Sequence, residues 1–191
     1  MKRILLVSQE KQLVQDIKTI LVTIDYQVIA TIDNGMDALR MLHRYEPDLV
    51  IMSWVLKGLS GTDLLQNILA LHMCPTIVIL GSESQQELPQ IIKSEPHHIA
   101  FPPLRAIDII GAIIQAEHKF KKEQEIRLQV RKLEEELKTR KLIYQAILEI
   151  IHKRGYDEET AYNRIRSHSM STRRSIQAVA KDIIKGIWLP D

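Results

Sequence analysis

One cysteine stands among 191 residues, which excludes an internal disulfide and a multi-cysteine zinc site. Cys74 directly precedes a short apolar run and is expected to pack as a small apolar side chain. No apolar run approaches the roughly 18 residues that a membrane span needs. The amino terminus, Met1-Lys2-Arg3-Ile4-Leu5-Leu6-Val7, has a basic start, but polar and acidic residues follow at once, so it reads as a first strand rather than a signal peptide. Gly and Pro are missing between Gly111 and Gly155, which leaves that segment without turn residues and suits one long helix. Apolar content of 45% with 26% charged residues is that of an ordinary soluble globular chain of one or two domains, and the cytoplasm is the expected compartment.

Up to Phe101, short β-branched runs alternate with amphipathic stretches. Ile4–Val7, Val28–Ile32, Leu49–Met52, Thr76–Leu80 and His98–Phe101 read as buried strands. Lys11–Ile24, Met36–Tyr45, Thr62–Leu71 and Gln85–Lys93 read as the helices between them; in the first, Leu13, Ile17, Leu21 and Ile24 recur at helical spacing. Five such units predict an α/β fold with a doubly wound, flavodoxin-like parallel sheet of five strands. His97 and His98 are adjacent on an expected strand and so point to opposite faces, which argues against a shared metal.

Beyond that region Ile126, Val130, Leu133, Leu137, Tyr144, Ile147 and Ile151 fall on 3-4 spacing, interrupted only by Arg140. About three and a half heptads with charged flanks predict a two-stranded coiled coil, with Ile126, Val130, Leu133, Leu137 and Tyr144 as the dimer seam; one long helix packed on its own chain is the alternative. Two shorter helices follow. Asp157 is placed to cap the first, whose stripe is Ala161, Tyr162 and Ile165, with Tyr162 expected in the core and Met170 in packing. Ser167–Thr172 reads as a polar break before a last helix with Ile176, Val179, Ala180, Ile183 and Ile184 on one face. Charge is uneven: nine Lys and Arg stand against thirteen Asp and Glu up to Glu117, and seventeen against eleven from Lys119 onward. The basic carboxyl-terminal part points to an anionic partner, or else to a solvated helical surface.

Two resemblances follow from particular residues. The strand order, Lys57-Gly58-Leu59-Ser60-Gly61 and Pro102 after the fifth strand resemble a response-regulator receiver domain. The resemblance implies a phosphoacceptor aspartate at the end of the third strand, and Ser53 stands there. Receivers hold Mg²⁺ with two acids after the first strand, where this chain has Ser8 and Gln9, leaving Glu10 as the nearby acid. A hydroxyl residue is expected where Gly81 stands, and a lysine where Phe101 stands. Ser8, Gln9, Ser53, Gly81 and Phe101 therefore form a degenerate acceptor pocket, with no catalytic residue, metal or cofactor expected. Ser53 also lacks the adjacent base that a serine nucleophile needs.

Arg140-Lys141-Leu142-Ile143 through Ile184 resembles an ANTAR domain, the RNA-binding module of bacterial antiterminators. The resemblance rests on Gly155-Tyr156-Asp157-Glu158-Glu159, Ala161-Tyr162-Asn163-Arg164-Ile165-Arg166, Ser169-Met170-Ser171-Thr172-Arg173-Arg174 and Val179-Ala180. A receiver, a coiled coil and this module make the layout of the amidase-operon antiterminator type. The expected division is a pseudo-receiver over 1–118, a coiled-coil linker over 119–139 and an ANTAR unit over 140–191. Arg164, Arg166, His168, Ser169, Thr172, Arg173, Arg174 and Lys181 are the candidate RNA-binding residues, because guanidinium groups bind phosphate and stack on unpaired bases.

What the resemblance implies is a non-enzymatic, homodimeric antitermination regulator. It would bind hairpins of a nascent leader transcript without phosphorylation, under control of a ligand-sensing protein partner and without a membrane role. A protein-interaction scaffold without RNA binding is the alternative.

Overall fold

The computed structural model describes residues 1–24 and 26–190. Five strands, β1 (Lys2–Val7), β2 (Tyr26–Ile32), β3 (Leu49–Ser53), β4 (Thr76–Ile79) and β5 (His98–Ala100), form one sheet in the order β2-β1-β3-β4-β5 with every neighbouring pair parallel. This is the flavodoxin-like doubly wound order predicted from the alternating pattern.

The strand side chains alternate between two cores. Ile4, Leu6, Ile51, Ile77 and Ile79 face α1 (Lys11–Leu21) and the early turns of α5 (Ala106–Arg154). Leu5, Val7, Val50, Met52 and Val78 face α2 (Gly35–Tyr45), α3 (Gly61–Leu71) and α4 (Leu88–Lys93). The large side chains here are almost fully buried, each contributing about 1.5–3 kcal/mol. Capping sets the helix starts: the Asn34 side chain accepts from the Met36 N–H at 2.8 Å, and Ser60 Oγ accepts from the Asp63 N–H at 3.1 Å.

Several boundaries differ from expectation. α1 ends at Leu21 rather than Ile24, because the chain must turn before the Tyr26 N–H reaches the Ile24 carbonyl at 2.7 Å. The expected helix over Gln85–Lys93 is divided into a 3-10 stretch, Ser82–Glu87, and α4, whose first turn holds Pro89. β5 stops at Ala100, and Phe101 leaves the sheet exposed.

The contacts divide the chain into two compact units, the first Met1–Gln124 and the second from Glu125 onward. The second contains the latter part of α5, then α6 (Glu158–Thr172) and α7 (Ile176–Ile184). Its core joins Ala146, Ile147 and Ile150 to Ala161, Ile165, Val179, Ala180 and Ile183, with Trp188 and Leu189 packed against them.

Three expectations for this unit are corrected. Ser167–Thr172 is helical, and the break falls after it, with Arg173 at φ +54°. Within this last turn the Thr172 and Ser171 hydroxyls donate to the His168 carbonyl at 2.6 and 3.1 Å, so the polar side chains bond back onto their own helix. Tyr162 is 41% exposed and Met170 is 70% exposed, so neither is core. Ala161 and Ile165 define the buried stripe, and Tyr162 lies about 100° around the helix from Ala161.

Among the described residues no helix is long and apolar enough to cross a membrane. Cys74 is buried, and burial pushes its thiol up to about 12, so it remains protonated in its apolar setting.

Candidate nucleic-acid interface and degenerate acceptor pocket

The carboxyl ends of β1 and β3 lie side by side in the sheet, which brings Ser8 beside Ser53. Ser53 Oγ donates to Ser8 Oγ at 2.7 Å, and Ser8 Oγ in turn accepts from the Glu10 N–H at 3.1 Å. Both serines are buried, at 3% and 4% exposure. The two hydroxyls satisfy each other where a carboxylate cluster would otherwise draw a cation. Among the described residues no group of three or more His, Cys, Asp or Glu is placed to hold a metal.

The loops that follow β3 and β4 are tightly packed. Trp54 is buried, and its indole N–H donates to the Glu87 carboxylate in the 3-10 stretch. A Cβ on Gly61 would stand 2.1 Å from the Trp54 carbonyl oxygen and 3.0 Å from its ring, so only glycine fits beneath the indole. Gly58 has φ +78°, and a Cβ there would meet Asn34 Oδ1 at 2.6 Å. At Gly81 the space a side chain would fill holds the Glu83 carboxylate, 2.2 Å from the Cβ position. Gln9 is half-buried and Phe101 exposed, so the Ser8–Ser53 contact is what the fold assembles from the five sequence candidates.

His97 and His98 are not brought to a common ligand. His97 is buried, its Nδ1 accepts from the Thr76 N–H at 3.1 Å, and its ring meets Phe120 edge-on at 5.2 Å. Burial lowers the His98 pKa from its ordinary value.

The second unit presents a basic corner between α6 and α7. Asp157 caps α6, accepting from the Thr160 N–H at 2.9 Å and its hydroxyl at 2.7 Å; these bonds hold its carboxyl below the ordinary range. At the other end the Arg173 N–H reaches the Met170 carbonyl at 3.3 Å and the Arg174 N–H reaches that of Ser169 at 3.1 Å. Ser175 then caps α7, accepting from the Ala178 N–H at 3.2 Å.

This framework sorts the eight sequence candidates. Arg166 and Arg173 are exposed, and neither pairs with a carboxylate among the described residues. Arg164 is exposed with its guanidinium 5.8 Å from the centre of the Tyr156 ring. Lys181 is exposed, more than a turn into α7. Arg174 is tied to Asp182 at 2.6 Å. Ser169 Oγ donates to the Arg174 carbonyl at 2.6 Å, and Thr172 is held by its own helix, so both hydroxyls are occupied within the fold. His168 stacks on Trp188 at 3.8 Å with the rings 15° from parallel.

Tyr162 and Met170 are the side chains this surface adds to the sequence candidates. Their signal was present: Tyr162, Arg166 and Met170 lie at i, i+4 and i+8, one residue off the buried Ala161 and Ile165.

Along α5, Ile126, Val130, Leu133, Leu137 and Tyr144 are between 48% and 65% exposed. From Ile147 the same stripe turns into the three-helix core.

The family model of the response regulator receiver domain matches residues 4–101, just over half of the chain. The chain belongs to the response regulator receiver family. The ANTAR domain model matches residues 131–184 of this receiver protein, the segment that holds the basic corner. Two curated relatives, each called transcriptional regulatory protein PdtaR, come from Mycobacterium tuberculosis strains CDC 1551 / Oshkosh and ATCC 25618 / H37Rv. Each is 27% identical over 191 residues, covering 99% of this chain and 92% of its own.

Solved receivers share the fold. The signal receiver domain of a modulated diguanylate cyclase from Desulfovibrio desulfuricans G20 is 24% identical with a TM-score of 0.59, covering 64% of this chain and 98% of its own. A CheY-like receiver from Methanospirillum hungatei JF-1 is 21% identical with a TM-score of 0.57, again covering 64% of this chain and 98% of its own. Within this receiver, then, the Ser8–Ser53 hydrogen bond occupies the carboxyl edge of an otherwise regular sheet.

Proposed function

We propose that this chain is a dimeric RNA-binding regulator of transcription antitermination, acting in the cytoplasm, whose receiver works without phosphorylation. The observation that carries the reading is the α6–α7 corner, where Arg166 and Arg173 stand exposed and, among the described residues, without carboxylate partners, inside the segment matched by the ANTAR family. ANTAR modules are the RNA-binding modules of bacterial antiterminators, and the full-length relatives are named as transcriptional regulators. Exposed arginines neutralise phosphates and release counterions, which gives affinity that falls with salt. Ile176 and Gln177, at the open first turn of α7, add N–H groups that suit a phosphate oxygen.

The buried Ser53–Ser8 pair supports the same reading from the input side. With hydroxyls in place of acceptor and metal ligands, the receiver serves as a platform, and the proposed mechanism calls for no cofactor and no catalytic step. Functionally the chain divides into a pseudo-receiver over 1–118, a dimerising helix over 119–139 and an RNA-binding unit over 140–191. The exposed seam from Ile126 to Tyr144 pairs with the same seam of a second copy. Two RNA-binding units then engage two hairpins of one leader transcript, and tethering raises the avidity. The bound hairpins exclude the overlapping terminator. Control comes from a ligand-sensing protein that covers the seam or the basic corner.

The test is binding of the purified full chain to a two-hairpin leader RNA and to a scrambled RNA across a salt series. A preference for the paired hairpins that weakens with salt is expected. Equal binding to both RNAs, or none, overturns the reading.

A further inference from the structure

Tyr162 is the exposed aromatic side chain of α6, and the surface around it mixes arginines with one exposed methionine. Arg166 lies one turn on, Met170 a turn beyond it, and Arg173 just past the helix end. Tyr162 spans the edge of the buried stripe, so its backbone is fixed by Ala161 and Ile165 while 41% of the residue faces solvent. Glu159 stands one turn before Tyr162, which makes the stripe acidic at its start and basic at its end.

We propose that Tyr162 and Arg166 form a stacking site for one unpaired RNA base, with Arg166 and Arg173 holding the phosphates that flank it. This deepens, and rests on, the RNA-binding reading above. A phenol ring on a rigid helix offers a flat π face at small entropic cost, and a guanidinium one turn away stacks on the same base or reaches its phosphate. Met170 extends the polarizable surface beside it. Glu159 repels phosphate at the amino-terminal end and so directs the strand toward Arg173. A second copy of the chain does not suit this surface, because it would bring Arg166 and Arg173 against their own like charges. An acidic peptide would satisfy the arginines and leave the Tyr162 face unused.

The experiment uses the full chain and an RNA recovered by wild-type selection from a pool of randomised two-stem-loop RNAs. Three variants are compared: Tyr162→Ala, Tyr162→Phe and Arg166→Ala. Because Tyr162 is half exposed, all three are expected to keep the wild-type circular dichroism spectrum. Tyr162→Ala is expected to weaken binding by roughly 5- to 150-fold, the range of one lost base–aromatic stack, with an unchanged salt slope. Tyr162→Phe stays within about twofold, since the π face is retained. Arg166→Ala lowers the salt slope by about one. Making single loop positions abasic in turn identifies one position where the wild type loses affinity and Tyr162→Ala loses no more.

Three outcomes overturn the site. One is wild-type affinity in Tyr162→Ala. Another is an equal loss on a fully paired duplex of the same stems. The third is additive losses at every abasic position. Failure of the selection to yield any RNA is the separate failure of the RNA-binding reading itself, and it takes this site with it.

Discussion

Ser53 Oγ donates to Ser8 Oγ at 2.7 Å, across the carboxyl ends of two adjacent parallel strands. Each hydroxyl is buried and each has its partner, so at the edge of the sheet where a receiver would gather acids the contact between β1 and β3 is a neutral hydroxyl pair.

This contact sets the first expectation. Incubation with acetyl phosphate and Mg²⁺ is expected to leave the chain unmodified by mass spectrometry. Ser53→Ala removes one of the two donors to the buried Ser8 Oγ, which keeps the Glu10 N–H, and should cost about 1 kcal/mol in urea unfolding. Ser53→Asp buries an uncompensated carboxylate and should cost about 3 kcal/mol, still without phosphate uptake. Phosphate uptake at position 53, as an ester in the wild type or an acyl phosphate in Ser53→Asp, would contradict a phosphorylation-independent receiver.

Arg173 and Arg174 are neighbours in sequence with different surroundings. Arg173 is unpaired among the described residues, whereas Arg174 is bound to the largely buried Asp182. Arg173→Ala is expected to lower the salt slope of RNA binding by about one with unchanged melting. Arg174→Ala should lower stability by about 0.5–1 kcal/mol, since the exposed half of the pair is screened by solvent. Comparing thermal melts with salt-dependent binding for both variants separates the two roles.

Acid should loosen the start of α6. The Asp157 carboxyl lies below the ordinary carboxylate range, chiefly because the Thr160 N–H and hydroxyl bond its charged form. A depressed carboxyl contributes stability that is present above its unfolded value, about 3.9, and is lost as pH falls through the lower folded value. The Thr160 amide resonance should therefore shift below about pH 4. Asp157→Asn, which still accepts the Thr160 N–H, should remove that titration and keep the helix.

The seam gives a prediction about assembly. Leu133→Glu with Leu137→Glu places like charges on the exposed stripe of α5. Sedimentation is expected to change from dimer to monomer. Affinity for a two-hairpin RNA should then fall by about a hundredfold, to the single-hairpin value, because the tether is lost. A wild-type chain that sediments as a monomer would refute the coiled coil.

The periodicity of this chain reached far into the fold. Ile4 and Leu6 against Leu5 and Val7 already encode two faces of a sheet, and Leu13, Ile17 and Leu21 encode the helix that covers one of them. Asp157 marks a helix start by chemistry that needs only three following residues. Such features are local, so residue order suffices to read them. The absence of acids at Ser8, Gln9 and Ser53 was likewise legible, as were the arginines of the basic unit.

The remaining features depended on partners distant in sequence or on a shift of one helical position. Ser53 meets Ser8 because β1 and β3 are paired neighbours, a contact across 45 positions. Glu87 finds the Trp54 indole, and Asp182 finds Arg174, only once loops have closed. The serines and threonines up to Thr172 read as a break, yet they are helical, with the Ser171 and Thr172 hydroxyls bonded back to the His168 carbonyl and Ser169 Oγ bonded across the helix end to the Arg174 carbonyl. Tyr162 sits beside Ala161 in sequence, but packing buries Ala161 and leaves Tyr162 at the surface. Sequence by itself determined the elements, their order and the chemistry available. Tertiary packing decided which of those groups neutralise one another and which remain exposed, because that choice depends on distances that only the assembled fold sets.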